Sequence, residues 1–290
     1  MARTLAVLTA GIVALLAPGF ARAYGWPVKP FDEQHPIRGA FDDPRSFRSF
    51  HFGVDISAAD GTPVYAVAPG TVYRYADAVA VRQEDGHEFA YWHIETSVPE
   101  HSFVRTGELI GYVKAPWEHV HLAEWNGTTY VNPLRPGGLE PFSDETTPVI
   151  ASIDVDAANG HLEATVDAYD PAPLAPPPPW QDARWTPEII RWRLVRDDVA
   201  LANWRTVVDF SIWLKPREFD DVYAPGTEQN APGKPGRYVF WLFRGLTLGA
   251  GQYELQVVAW DTRGNTATSS KSFDVVQVGY ADARPRMHIR

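Results

Sequence analysis

Gly70-Thr-Val-Tyr-Arg-Tyr75-Ala-Asp-Ala78-Val-Ala-Val-Arg-Gln83-Glu-Asp-Gly86-His-Glu88-Phe-Ala-Tyr-Trp-His93-Ile94 reads as three short strands, at 70–75, 78–83 and 88–94. The runs are rich in Val, Tyr and Phe, residues that fit a pleated surface. Between the last two, Glu84-Asp85-Gly86 supplies the Asp-Gly pair that readily takes the positive φ of a tight hairpin. The same rhythm continues outward, with Gly, Pro and Asp/Asn punctuating the chain about every eight to twelve residues. Further strands are expected at 63–68, 109–113 and 119–125. In the second half, Leu162/Ala164/Val166/Ala168, Ile190/Trp192/Leu194 and Tyr253/Leu255/Val257/Ala259 alternate with period two, which predicts half-buried antiparallel strands of a sandwich. No long segment has period 3.6 beyond the N-terminal leader. The expected fold class is all-β.

At 290 residues the chain suits two domains, and the polar segment 141–148 is the expected boundary between units at 24–140 and 147–280. Residues 1–23 carry Arg3, an apolar stretch from Leu5 to Ala17 and the small-residue pattern Ala21-Arg22-Ala23, the plan of a secretory signal peptide. A membrane anchor is disfavoured, because the stretch falls short of the roughly 20 residues needed to span and Pro18 interrupts it. No span is expected after signal cleavage, and the expected location is secreted or cell envelope. The absence of cysteine excludes disulfides, thiolate metal sites and cysteine nucleophiles. A formal charge of −10, or −12 once Arg3 and Arg22 are removed with the leader, argues against nucleic acid as a partner.

Any metal must therefore be held by His and carboxylate. Seven of the nine histidines precede Leu122, so chemistry is expected in the N-terminal unit. His119-Val120-His121 would place two imidazoles on one face of a strand. About 0.3 such pairs arise by chance at this composition, so the pair alone is also compatible with two surface histidines. His51-Phe-Gly53-Val-Asp55 adds a second pair in an extended segment, with an ordinary turn or capping aspartate as the lesser reading of Asp55. His51, Asp55 and one histidine of the later pair meet the count of a catalytic zinc site with an open fourth position. His93 alone reads first as a hydrogen-bonded core histidine.

Phe50-His51-Phe-Gly-Val-Asp55-Ile-Ser, the following Gly61-Thr-Pro-Val-Tyr-Ala-Val-Ala-Pro-Gly70, then Tyr91-Trp-His93-Ile, Val104-Arg-Thr-Gly107, His119-Val-His121-Leu and Val131-Asn-Pro-Leu134 resemble, in that order, the lysostaphin/LytM-type zinc endopeptidases. The resemblance covers about residues 26–136. It implies that His51, Asp55 and His121 bind Zn2+, with His93 and His119 unligated beside it as general base and oxyanion partner, in either assignment. It also implies a peptidoglycan peptide as substrate and water activated by the metal. Two departures stand out. Val113-Lys-Ala-Pro-Trp-Glu118 replaces the family's glycine-rich loop, so the substrate groove is expected to differ, and Ala123-Glu124 shifts a family glutamate by one position, read as without catalytic meaning.

Asp261-Thr-Arg-Gly264-Asn265 resembles the last hairpin of immunoglobulin-like surface modules. Seven of eleven tryptophans fall in this half and read as packing residues first, sugar-stacking residues second. Prolines from 171 to 179 suggest a stiff excursion toward the enzyme's groove. Asp170 and Asp261 are open to a calcium reading, beside the commoner one of isolated turn residues. The competing functional classes are a non-catalytic peptidoglycan-binding or amidase-regulating protein and a surface scaffold with a passive zinc module.

Overall fold

The computed structural model describes residues 23–158 and 161–276, with side chains described outside 157–160. The leader expected at 1–23 therefore lies outside the described residues save for Ala23, as do residues 277–280 of the expected second unit. Strand accounts for 48 % of the structure and helix for 3 %. Among the described residues no helix is long and apolar enough to cross a membrane.

The expected hairpins form with nearly the expected ends. Gly70–Tyr75, Ala78–Arg82, Glu88–Trp92 and His119–Trp125 are successive neighbours in an eight-stranded antiparallel sheet, extended beyond His119–Trp125 by Val54–Ser57 and Ile37–Gly39. The strand expected at 63–68 stops at Tyr65, and 88–94 divides at His93, whose φ of 63° turns the chain into Ile94–Thr96. Pro63–Tyr65, Leu109–Val113 and Ile94–Thr96 form a second, smaller sheet. Gly86, at φ 87°, closes the hairpin between Ala78–Arg82 and Glu88–Trp92.

Alternation sorts the large sheet into two faces. Val79, Val81, Phe89, Tyr91, Val120 and Leu122 point into the main N-terminal core against Val64, Ile110 and Val113 of the small sheet. The other face carries Ala80, Ala90 and Ala123, whose methyl groups leave room for a layer of rings from Phe52, Tyr73, Trp92 and Tyr130. Glu124 faces the core side, wholly buried, where it accepts from Tyr24 Oη at 2.5 Å, His87 Nε2 at 2.9 Å and both Arg135 Nη groups at 2.6 Å. It is a structural tie pointing away from the histidine pair.

The C-terminal unit is two sheets around one core. Val149–Ala158, His161–Pro171 and Val239–Leu246 build one layer, with Arg184–Trp185 on its edge. Ile189–Arg196, Gly251–Trp260 and Thr266–Val275 build the other, with Arg205–Asp209 paired to the first of these. Between them lie Val166, Ala168, Ile190, Trp192, Phe240, Leu255 and Val257, as the period-two reading requires. The Asp261–Asn265 turn joins two ten-residue strands in full register.

The two units interlock. Phe50, next to His51, is buried in the C-terminal core among Phe210, Phe219 and Tyr223. Trp185 packs the opposite way, into the N-terminal core, and donates Nε1–H to the Ile37 carbonyl at 3.2 Å. Tyr223 Oη donates to the Asp42 carbonyl at 2.8 Å, and Thr186 N to Asp43 Oδ1 at 3.0 Å.

Candidate metal centre

Register brings the site together. His121 lies directly opposite Asp55 on one side and Trp92 on the other, so the imidazole and the carboxylate project from the same face. His51 enters from the loop before Val54–Ser57. Its Nε2 is 2.7 Å from His121 Nδ1 and 3.1 Å from Asp55 Oδ1, and His121 Nδ1 is 3.0 Å from the same oxygen. Gly53 permits this approach, since a β-carbon there would come within 2.3 Å of the Leu122 carbonyl and 2.8 Å of His121 Nε2.

The donor chemistry fits a metal ion. His51 Nδ1 is 2.6 Å from the Ala40 carbonyl, which fixes the proton on Nδ1 and leaves Nε2 a bare lone pair aimed at the other two donors. Burial, then the nearby Arg45 cation, pushes the His51 imidazole down to about 3, and burial lowers His121 as well, so both stay neutral. Burial raises the Asp55 carboxyl, but His51, Arg45 and His119 outweigh it and hold it well below the usual carboxylate range. Arg45 Nη2 donates to Asp55 Oδ2 at 2.9 Å, leaving Oδ1 for the cluster. Three neutral or anionic donors at 2.7–3.1 Å, short of the roughly 3.3 Å edge of a zinc tetrahedron, need only a slight outward relaxation to take the ion. His51, Asp55 and His121 thus form a group that could hold a metal.

The other two expected histidines flank this cluster. His119 Nε2 is 3.5 Å from Asp55 Oδ1, and its ring centroid is 4.6 Å from that of His93. Its Nδ1 meets both the Trp117 carbonyl at 2.6 Å and Arg38 Nη2 at 2.5 Å. One nitrogen cannot donate to the first and accept from the second; the tautomer that donates to Trp117 leaves Nε2 unprotonated toward the cluster. His93 stacks on the Trp117 ring at 3.9 Å, and burial, then His119, lowers it to about 4. The remaining described histidines lie elsewhere: His35 on the Pro30 carbonyl, His87 on Glu124, His101 against Tyr73 and His161 beside Thr247.

Residues 49–133 match Peptidase family M23. The match to an M23 peptidase domain is confined to this segment. Over 95 residues the chain is 36 % identical to the DD-carboxypeptidase/endopeptidase Mpg of Neisseria meningitidis, and equally to that of Neisseria gonorrhoeae. The match takes in 29 % of this chain and 22 % of each relative, so the chain spans under a quarter of their length. Among solved structures, the catalytic domain of the prophage-encoded M23 protein EnpA from Enterococcus faecalis is 25 % identical, covering 42 % of this chain and all of that one at a TM-score of 0.32. The deep-sea M23 metalloprotease pseudoalterin is 13 % identical, covering 66 % and 99 % at a TM-score of 0.31.

Around the cluster the matched segment opens into a groove of about 680 Å³, the place where the sequence expects one. Phe52, Trp92, Trp117 and Tyr130 line it from the M23 side, and Trp180, Trp213, Gln229 and Asn230 reach it from the C-terminal unit. The 113–118 segment forms one wall. Lys114 N donates to the His93 carbonyl at 2.8 Å and Glu118 N to Asp60 Oδ1 at 2.9 Å, which hold Trp117 against His93 and farther from His119. The proline excursion ends at Trp180, whose ring lies 4.5 Å beneath the Arg38 guanidinium. Arg38, Arg45, Trp180 and Trp213 carry no local motif; only their nearness in the folded chain marks them.

Proposed function

We propose that the chain is a secreted, cell-envelope zinc metalloendopeptidase that hydrolyses peptide bonds of bacterial peptidoglycan. The observation that carries this reading is the set of three convergent donors with two unligated histidines beside it, inside a domain whose relatives are named as endopeptidases. A zinc ion held by His51, Asp55 and His121 would supply Lewis acidity toward water and a scissile carbonyl. The protein's own contribution is placement and proton transfer. His119, bare at Nε2 when Nδ1 donates to Trp117, would take a proton at that nitrogen and pass it to the leaving amine. His93, held by the Trp117 stack, would donate to the developing oxyanion, a role commonly worth about 3 kcal/mol. The aromatic walls exclude water on both sides and bind the flanking residues of an extended peptide.

The test is incubation of the mature protein with purified peptidoglycan, with and without chelator, followed by mass spectrometry of the released ends. New amino termini that vanish with chelator are expected; their absence refutes the peptidase reading in favour of a binding or scaffold role. Undiminished products from His119→Ala or His121→Ala would leave hydrolysis standing and overturn the residue roles.

A further inference from the structure

A second cluster lies away from the groove, where the connecting segment meets the sandwich. Asp144 leaves that segment, Asp170 stands near the end of the His161–Pro171 strand, and Asp261 opens the turn after Gly251–Trp260. All three are buried, at 7 %, 2 % and 2 % exposure, and one oxygen of each lies within 4.8 Å of the other two. Two of the three have oxygens committed to nearby donors. Asp144 Oδ1 accepts from Thr146 N at 2.9 Å and Oγ1 at 2.5 Å, and Asp261 Oδ1 accepts from Arg263 N at 2.8 Å and Asn265 N at 2.9 Å. Asp261 Oδ2 takes Asn265 Nδ2 at 2.7 Å. By contrast, Asp144 Oδ2 and Asp170 Oδ1 are buried with no hydrogen-bond partner.

Among the described residues no Lys, Arg or His forms an ion pair with any of the three, and Arg263, the nearby guanidinium, is directed to Glu140 Oε1 at 3.1 Å and lies over Phe142. Isolated buried carboxylates are expensive unless paired or bound to a metal. We propose that Asp144, Asp170 and Asp261 form a calcium site that fastens the connecting segment to both sheets of the sandwich. An all-oxygen, three-carboxylate donor set suits a hard cation, and a spacing of up to 4.8 Å fits Ca–O bonds of about 2.3–2.6 Å. Burial this deep disfavours magnesium, which keeps much of its water shell. Asn265 Nδ2 also donates to the Asp144 carbonyl at 2.9 Å, so ligand and backbone are held by the same turn.

The experiment is equilibrium dialysis of the zinc-loaded full chain against radioactive calcium, with thermal unfolding recorded at each concentration. One calcium per chain is expected at about 1 mM free ion or below, together with a Tm that climbs with calcium. Asp170→Asn should bind at least about tenfold more weakly, because ligand charge sets affinity. Without calcium it should be no less stable than the parent at pH 8, since burial holds the Asp170 carboxyl up at about 9 and the amide relieves that penalty. Asp144→Asn provides the same binding readout if the first variant fails to fold. No bound calcium at about 1 mM, or parental affinity in a folded variant, overturns the site.

Discussion

Replacing Phe50 by alanine should damage both halves of the molecule at once. The side chain is 2 % exposed and sits in the C-terminal core, with ring centroids 5.4 Å from Phe219, 5.7 Å from Tyr223 and 6.1 Å from Phe210. Phe→Ala in such a place costs about 3–5 kcal/mol, and collapse of the cavity would bring the lower figure. Collapse is opposed here because Tyr223 is anchored by its hydroxyl to the Asp42 carbonyl, and each aromatic pair adds about 0.5–1.5 kcal/mol beyond its buried area. A loss of about 4 kcal/mol is expected, a large share of the ordinary 5–15 kcal/mol of a folded chain. Phe50→Leu, which keeps most of the volume, should lose about 1 kcal/mol. Because the next residue is His51, the alanine variant should also weaken zinc by about tenfold, the range seen when ligand orientation is disturbed. Urea unfolding followed by tryptophan fluorescence reads the first number, and competition with a chromophoric chelator reads the second. A stability loss below about 1 kcal/mol would refute the plug. A full loss with zinc affinity unchanged would refute its coupling to the metal centre.

Other perturbations separate the parts of the groove. Trp117→Ala removes the ring stacked on His93 and should lower kcat about tenfold while costing only about 1 kcal/mol of stability, since Trp117 is 44 % exposed; an unchanged kcat with raised KM would assign Trp117 to binding alone. Trp180→Ala and Trp213→Ala should raise KM severalfold at unchanged kcat, because their rings line the groove without touching the donor cluster; a fall in kcat at constant KM would contradict this. In metal-free protein, His51 binds a proton only near pH 3 when folded but near 6.5 when unfolded, so acidification through that window favours the unfolded chain. Urea midpoints of the metal-free parent and His51→Gln should therefore diverge: the parent's stability relative to the variant rises with pH between 3 and 6.5, by at most about 1.4 kcal/mol per unit. A flat or falling difference would show that His51 is solvated without metal.

Much of the site was legible because its information is local. The His119/His121 pair needs only a strand period to be recognised and His51/Asp55 only a short extended segment, and antiparallel pairing then set His121 opposite Asp55. The hairpins around Gly86 and Gly264 were legible for the same reason, as positive φ is a property of single residues. The groove's lining from the C-terminal unit was not. Trp180 and Trp213 reach it only because Phe50 and Trp185 exchange between the two cores, a long-range fit without periodicity. Asp170 and Asp261 could be suspected of binding calcium, but Asp144, which completes the cluster, sits in a segment that reads as a polar linker. The substituted 113–118 loop was visible as a departure; that it would stack Trp117 on His93 depended on hydrogen bonds to Asp60 and to the His93 backbone.

The two imidazoles of the donor cluster are secured by unlike means. His51 hangs on a directional bond to a carbonyl, whereas His121 Nε2 has no polar partner and its ring is held by Phe52 at 4.8 Å and Trp92 at 6.2 Å, resting on the alanine-lined face. A hydrogen bond is made or broken, but a wall can recede by degrees. The centre should therefore have a rigid side and a tunable side: trimming Phe52 through Leu to Ala would relax His121 in graded steps, giving a series in which metal affinity follows ring volume while the His51 anchor stays fixed.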